Sequence, residues 1–161
     1  MSNQYKISVK EGPTKIMKFG EGVSQTFKAG DIVKIGATTS GGYVIAAASS
    51  DAKLLGIALG DASGTTGTSI LVLVILQDTE LVSSVYHSTA ASAITAQTQV
   101  GATYDLIIGT HAGYIDIEHT ADNIFTVVEL IPDDAIGTVY GRVGFTVKGS
   151  ALQYYGAGTL D

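Results

Sequence analysis

Cysteine and tryptophan are absent from this 161-residue sequence, and only 2 prolines occur. Without cysteine the chain can form neither disulfides nor thiolate metal sites. Charged residues are scarce as well: they make up 15% of the chain, against about 25% in a typical soluble domain. A surface with so few charges leaves much apolar area in contact with water, which favours burial against partner molecules.

Long apolar runs are also missing. The run Ile70 to Leu76 would form only about two helical turns, whereas a membrane-spanning helix needs about 20 apolar residues. The first residues, MSNQYKISVKEG, contain no apolar core. We therefore expect neither a membrane span nor a signal peptide.

Positive charge is scarce outside the leading part of the chain. The net charge is −6 and the pI is near 4.8, which argues against nucleic acid as the main partner. Residues 1–53 carry a net +3, and residues 54–161 carry −9. A basic leading segment on an acidic body indicates contact with an acidic neighbour, in this chain or in another.

Short β-branched and aromatic runs bounded by glycine and polar turn residues fill most of the sequence. They include AGDIVKI, YVIAAA, KLLGIAL, ELVSSVYH, ATYDLIIG, GYIDIEH, NIFTVVELI and TVYGRVGFTVKG. Their spacing of roughly 8–12 residues predicts a single-domain all-β fold, a barrel or a sandwich. The best helical candidate is STAASAITAQTQVG, where Ser92 would cap one or two turns.

The leading segment QYKISVK alternates between apolar and basic residues. Tyr5, Ile7 and Val9 share one face, and Lys6 and Lys10 lie on the other. This pattern is typical of a half-buried strand at a guarded sheet edge.

The chain is expected to divide into three parts. Residues 1–26 form a basic extended arm or edge strand, residues 27–148 the β-barrel body, and residues 149–161 a Gly-rich C-terminal tail.

The loop GDASGTTGTS, residues 60–69, could in principle cradle a phosphate. A phosphate-binding loop needs a lysine for the terminal phosphates, but this loop has none and contains Asp61. The run that follows, ILVLVIL, lacks the polar face of a crossover helix. We expect a turn that leads into a core strand buried on both faces.

A metal site would need converging histidines and carboxylates. His87, His111 and His119 are candidates, with Asp116 and Glu118 nearby. On a strand, Asp116 and Glu118 share one face while His119 points to the other. We therefore expect DIEH not to converge, and no metal site.

Catalytic patterns are not recognisable in the sequence. Asp133 and Asp134 follow Pro132 in a turn, and Glu80 and Glu129 lie at strand ends or outward positions, so no buried carboxylate pair is expected. No Gly-x-Ser-x-Gly nucleophile elbow occurs. We expect no enzyme, no catalytic residues and no cofactor. The 8 tyrosines could belong to the core and its rim or to a sugar-stacking surface.

An ordered series of segments resembles a known family. FKAGDIVKI, KLLGIALGDASG, AQTQVGATYDLIIG, GYIDIEH, FTVVELI and YGRVGFTV follow one another over residues 27–148. In order, spacing and character they resemble the head-decoration (cement) proteins of tailed bacteriophages. The clearest pieces are LLGIALGDA and TAQTQVGATYDL.

This resemblance implies a β-barrel or β-tulip body and a homotrimer bound to the major capsid protein on the outer surface of the virion. It implies no enzymatic activity, no cofactor and no contact with nucleic acid or membrane, in a protein made in the host cytoplasm. We expect the leading segment to contact the capsid or a neighbouring protomer by β-augmentation. The candidate contact residues are Tyr5, Lys6, Ile7, Val9, Lys10, Lys15, Lys18 and Phe19. Two alternatives stay open. In one, residues 4–10 are the first strand of the same barrel. In the other, the protein is a β-sandwich carbohydrate- or host-surface-binding module at a head-fibre base.

Overall fold

The computed structural model describes residues 4–36, 42–49, 51–155 and 159–160. Within these ranges the chain is all-β, as predicted, and its helical elements are 3-10 turns of three residues. In chain order the strands are β1 (Ser8–Glu11), β2 (Thr14–Glu21), β3 (Ile32–Ile35), β4 (Tyr43–Ala46), β5 (Gly56–Ala58), β6 (Ser69–Ile75), β7 (Glu80–Tyr86), β8 (Thr103–Gly109), β9 (Ala112–Asp116), β10 (Phe125–Leu130), β11 (Arg142–Val147), β12 (Tyr154–Tyr155) and β13 (Thr159–Leu160).

Five strands close into a first barrel, in the order β2-β4-β3-β5-β6. The closing pair is β2 with β6, which run antiparallel with Thr14 opposite Ile75 and Gly20 opposite Ser69. Alternate residues of each strand point inward, so Val33, Val44 and Val72 fill the barrel. A small barrel has room for side chains alone, and this interior is an apolar core.

The second barrel is built on a six-stranded sheet in the order β1-β7-β11-β10-β8-β9. Its last strand, β9, also pairs with the end of β7, through Val85 opposite Ile115, and this pairing closes the sheet. β1 lies along the start of the same edge of β7, with Val9 opposite Leu81. β1 is therefore the edge strand of the sheet.

One apolar core joins the two barrels. Ile32 and Ile57 belong to strands of the first barrel, yet they pack in the same buried cluster as Ile115, Val143 and Phe145 of the second. The two barrels therefore share one hydrophobic core, which agrees with the prediction of a single domain.

The segments set apart as an arm and a tail contribute strands or buried side chains to this body. β2 is a strand of the first barrel, and β1 pairs with β7. Beyond β11, Leu152 is buried, and the side-chain amide of Gln153 bridges the N–H (2.7 Å) and the carbonyl (3.2 Å) of Ile35. Both segments are held because they supply backbone partners and apolar side chains that the barrels need.

The predicted helical segment is the main local correction. It forms two 3-10 turns, Ala90–Ser92 and Gln97–Gln99, and Ser92 ends the first turn instead of capping a helix. Between the turns, Ile94 bridges to Val139, which draws the chain away from a helical path. Over the described residues we find no helix with the length and apolar character required to cross a bilayer.

Candidate interaction surface

The apolar face of the leading strand is turned inward. Ile7 is 2% exposed within the shared core, and its N–H donates to the carbonyl of Gly113 at 2.9 Å. Val9 is half-buried against the same core. Tyr5 is exposed, and the Arg142 guanidinium lies 4.8 Å from the centre of its ring. Ile7 and Val9, two of the three residues expected to add to a partner's sheet, are thus covered by the chain's own core.

Lys10 lies among carboxylates of the same chain. Its ammonium contacts Glu129, lies 3.2 Å from Glu80 and lies 3.6 Å from Glu11. These carboxylates, Glu129 first, raise the pKa of Lys10 above its ordinary value. Lys28 and Lys34 pair in the same way with Asp61 (3.2 Å) and Asp51 (2.5 Å). The acidic neighbours of the basic segment are therefore, at these positions, its own.

Of the other candidate contact residues, some face the core of a barrel and some face solvent. Lys6 is exposed and its ammonium lies over Gly30. In β2, Phe19 packs against the core of the first barrel, and the Lys15 ammonium donates to the Tyr154 hydroxyl at 2.9 Å. Lys18 points outward, opposite Leu71 of β6.

Lys18 borders an exposed surface that the sequence pattern did not predict. On the outer face of the first barrel, Ile16 is 60% exposed, Leu71 50% and Leu59 42%, and Leu73 is half-buried. Ile16 lies opposite Leu73 in the β2–β6 register, and the N–H of Leu59 donates to the carbonyl of Leu71 at 2.9 Å. Because cross-strand neighbours on one face are in contact, these four side chains form one surface, here called the aliphatic patch.

The patch corrects the expectation that Ile70 to Leu76 is buried on both faces. Val72 and Val74 point into the barrel, whereas Leu71 and Leu73 point outward. The outer face becomes buried at Ile75, where the second barrel packs against it. β-branched residues alternate with leucine along this run, but both faces are apolar, so the pattern alone does not show which face is exposed.

The Gly/Ser/Thr loop binds an anion from within the chain. The buried Glu21 carboxylate accepts the N–H of Ser63 (2.8 Å), the Ser63 hydroxyl (3.1 Å) and the N–H of Gly64 (2.5 Å). The loop is therefore a turn, as predicted, and its donors are used by Glu21.

The carboxyl groups of Glu80 and Glu129 lie next to each other beside Lys10, although the sequence did not predict a carboxyl pair. Burial, and secondly the neighbouring Glu129 carboxylate, raises the pKa of Glu80. The Lys10 ammonium lowers the pKa of Glu129. A Cβ on Gly144 would lie 2.3 Å from Oε1 of Glu80 and 2.9 Å from Cγ of Glu129, so glycine leaves the space that the pair occupies. Both carboxyl groups pair with Lys10 of the edge strand. This arrangement indicates a structural role, in which the ion pairs hold β1 against the sheet.

The residues of DIEH also converge, against expectation. Oxygen or nitrogen atoms of Asp116, Glu118 and His119 lie within 4.8 Å of one another, because the strand ends at Asp116 and a turn follows. His119 Nδ1 lies 2.9 Å from Asp116, which raises the pKa of the imidazole. Glu118 accepts the N–H and the hydroxyl of Ser88, each at 2.9 Å, and these bonds lower its pKa. Hydrogen bonds within the chain thus account for the cluster.

Two of the tyrosines line one cleft. Tyr86 and Tyr114 border a space of about 240 Å³ together with Gln4, Ile107 and Thr110. Aromatic rings beside an amide and a hydroxyl are groups that can contact a sugar.

Comparison with known proteins adds no family to this geometry. No protein-family model matches the sequence, and no curated protein matches it.

Proposed function

We propose that this protein is a capsid decoration (cement) protein of a tailed bacteriophage, a structural protein without enzymatic activity. It binds the major capsid protein on the outer surface of the mature head as a homotrimer and stabilises the head against internal DNA pressure. The observation that carries the proposal is the aliphatic patch, an exposed apolar surface on a chain with few charges. The resemblance of residues 27–148 to head-decoration proteins supports it.

The patch supplies a physical reason for binding. Covering the exposed parts of Ile16 and Leu71 contributes roughly 1 kcal/mol each. A protein that binds the mature lattice better than other states stabilises it by about 2.7 kcal/mol per site at a hundredfold excess over Kd. Three copies in one trimer bind with avidity, so each contact can be weak.

Substitution in the patch tests the proposal. Ile16→Asp places a charge on an exposed position, so the protein should fold, while its affinity for mature heads in a co-sedimentation assay should fall at least tenfold. Ile136→Asp is the matched control, because Ile136 is 65% exposed outside the patch and its replacement should leave binding unchanged. Truncation is less suitable, because removing residues 1–20 deletes β1 and most of β2.

The mass of the variant in solution identifies the partner of the patch. Loss of head binding at an unchanged trimer mass assigns the patch to the capsid. A fall to the 16.6 kDa of one chain assigns it to the contact between protomers. The proposal is contradicted if the unmodified protein does not bind mature heads, or binds them no better than immature ones.

A carbohydrate- or host-surface-binding module is the second candidate, favoured by the cleft that Tyr86 and Tyr114 share. A glycan array tests it. Selective glycan retention that Tyr114→Ala abolishes, in a protein without affinity for heads, would support this function over the first.

A further inference from the structure

A second cleft, of about 250 Å³, lies between the two barrels. Phe27, Ile32 and Ala47 of the first barrel form one side, and Ile108 and Ala112 of the β8–β9 hairpin form the other. Its volume lies below the range of about 300–1,000 Å³ that is usual for drug-sized ligands. The space therefore suits a group of the size of one side chain.

A carboxylate with one unused oxygen lines this cleft. Asp31 is 9% exposed, and its Oδ2 accepts the N–H of Lys28 at 2.8 Å and lies 2.9 Å from Nδ1 of His111. Its Oδ1 is buried, and no described residue donates a hydrogen bond to it. A buried carboxylate oxygen without a donor is costly, so a ligand with a donor would bind favourably here.

His111 is held in an uncommon conformation at the other side of the site. It lies at the tip of the hairpin with φ of 51°, a left-handed value that is infrequent outside glycine and recurs at functional sites. Its Nδ1 is within hydrogen-bond distance of Oδ2 of Asp31. The ring thereby positions Oδ2 of Asp31 and leaves Oδ1 as the free acceptor.

We propose that this cleft binds a primary alkylammonium group, with the ammonium on Oδ1 of Asp31 and the aliphatic stem against Phe27 and Ile108. An anion would be repelled by the carboxylate. A guanidinium prefers to engage both oxygens of a carboxylate, and Oδ2 is already occupied. Two lysines close to Asp31 do not fill the site: Lys28 pairs with Asp61, and the Lys6 ammonium lies over Gly30, outside the residues that line the cleft.

A primary alkylammonium group can come from two sources, the lysine side chain of a protein partner or a small free amine. The site would serve a decoration protein and a sugar-binding module alike.

Titration of the full chain with n-butylamine, followed by amide chemical shifts, tests the proposal. We expect saturable shifts at Asp31 and at residues 108–112, with 1-butanol and n-butylguanidinium at least tenfold weaker. Asp31→Asn keeps an acceptor oxygen for the N–H of Lys28 and should weaken butylamine at least tenfold. Asp133→Asn, the matched control at an exposed carboxylate outside the cleft, should change the affinity less than twofold.

The comparison of butylamine with butanol needs no variant, so it stands even if Asp31→Asn is unstable. Equal affinity for the two, an unchanged affinity in Asp31→Asn, or no saturation at tens of millimolar butylamine would each overturn the proposal. Blocked lysine (N-acetyl-lysine N-methylamide) and 1,5-diaminopentane distinguish the sources. Tighter binding of blocked lysine points to a protein partner, tighter binding of the diamine to a small molecule, and both support the alkylammonium site.

Discussion

Backbone N–H groups hold two buried carboxylates in this protein. Glu21 binds the loop at Ser63 and Gly64. Asp105 accepts the N–H groups of residues 121, 122 and 123 at 2.9, 3.0 and 2.7 Å. In both cases a strand residue orders a loop that has little apolar surface of its own, because hydrogen bonds to a charged acceptor are stronger than neutral ones.

Glu21→Ala tests this role. The substitution removes three hydrogen bonds to a charged acceptor and should lower the free energy of unfolding by about 3 kcal/mol, measured by urea denaturation. Glu21→Gln keeps one acceptor oxygen and should cost about half as much. If Glu21→Ala changes stability by less than about 0.5 kcal/mol, within the range of an ordinary surface substitution, the carboxylate does not hold the loop.

At this scale the sequence predicted the kind of loop but not its partner. Glycine and serine at residues 60–69 indicate a turn. That the loop's donors meet Glu21 depends on the β2–β6 pairing, which brings together residues about forty positions apart.

At the scale of elements, the edge strand β1 is fastened by charge as well as by burial. Its Lys10 contacts Glu80 of β7 and Glu129 of β10. The pKa of Glu129 lies below its ordinary 4.5, so Glu129 stabilises the fold above that pH and loses its contribution as the pH falls through the lowered value. Glu80 has a raised pKa and behaves in the opposite way: its contribution to the stability of the fold is present at low pH and is lost as the pH rises through the raised value. Lys10, whose pKa is raised, contributes its full stabilisation below pH 10.5 and loses it in more alkaline solution.

Lys10→Met should therefore lower the Tm most at neutral pH, where the Lys10–Glu129 pair is fully charged. The difference in Tm from the unmodified protein should shrink as the pH falls below 4.5, the ordinary pKa of Glu129, in thermal denaturation followed by circular dichroism. Lys18→Met is the control, since Lys18 is exposed, and its effect should not depend on pH. A Tm difference for Lys10→Met that stays constant with pH would show that the ion pair does not fasten β1.

The sequence predicted where strands occur better than it predicted which face of each strand is buried. Alternation predicted QYKISVK as an edge strand, and β1 is the edge of its sheet. Alternation did not show that Leu71 points outward, because both faces of ILVLVIL are apolar and only the neighbouring elements decide which one is covered. The same limit applies to DIEH, where the strand ends one residue before Ile117 and the turn brings His119 back to Asp116.

At the scale of the whole molecule, the shared core makes the two barrels one unit. Ile57 of the first barrel packs in the same cluster as Ile115 and Phe145 of the second. Neither barrel can lose this surface without exposing the apolar side chains of the other.

We expect a single unfolding transition for this reason. Ile57→Ala should cost about 2–5 kcal/mol and should speed amide hydrogen exchange equally in β3 and β11. Val33→Ala, which removes methyl groups inside the first barrel alone, serves as the control for a local effect and should first affect β3. Two separate transitions, or faster exchange confined to β3 in Ile57→Ala, would contradict a shared core.

The sequence by itself determined the class of the fold. Period-two alternation and glycine-bounded turns are local properties, and they are sufficient to specify short strands and exclude long helices. Only the tertiary structure decided that two barrels form, that Ile7 is buried while Ile16 and Leu71 are exposed, and that Glu80 meets Glu129. The physical reason is that pairing between strands distant in sequence sets which face each strand covers, and residue type alone does not encode that choice.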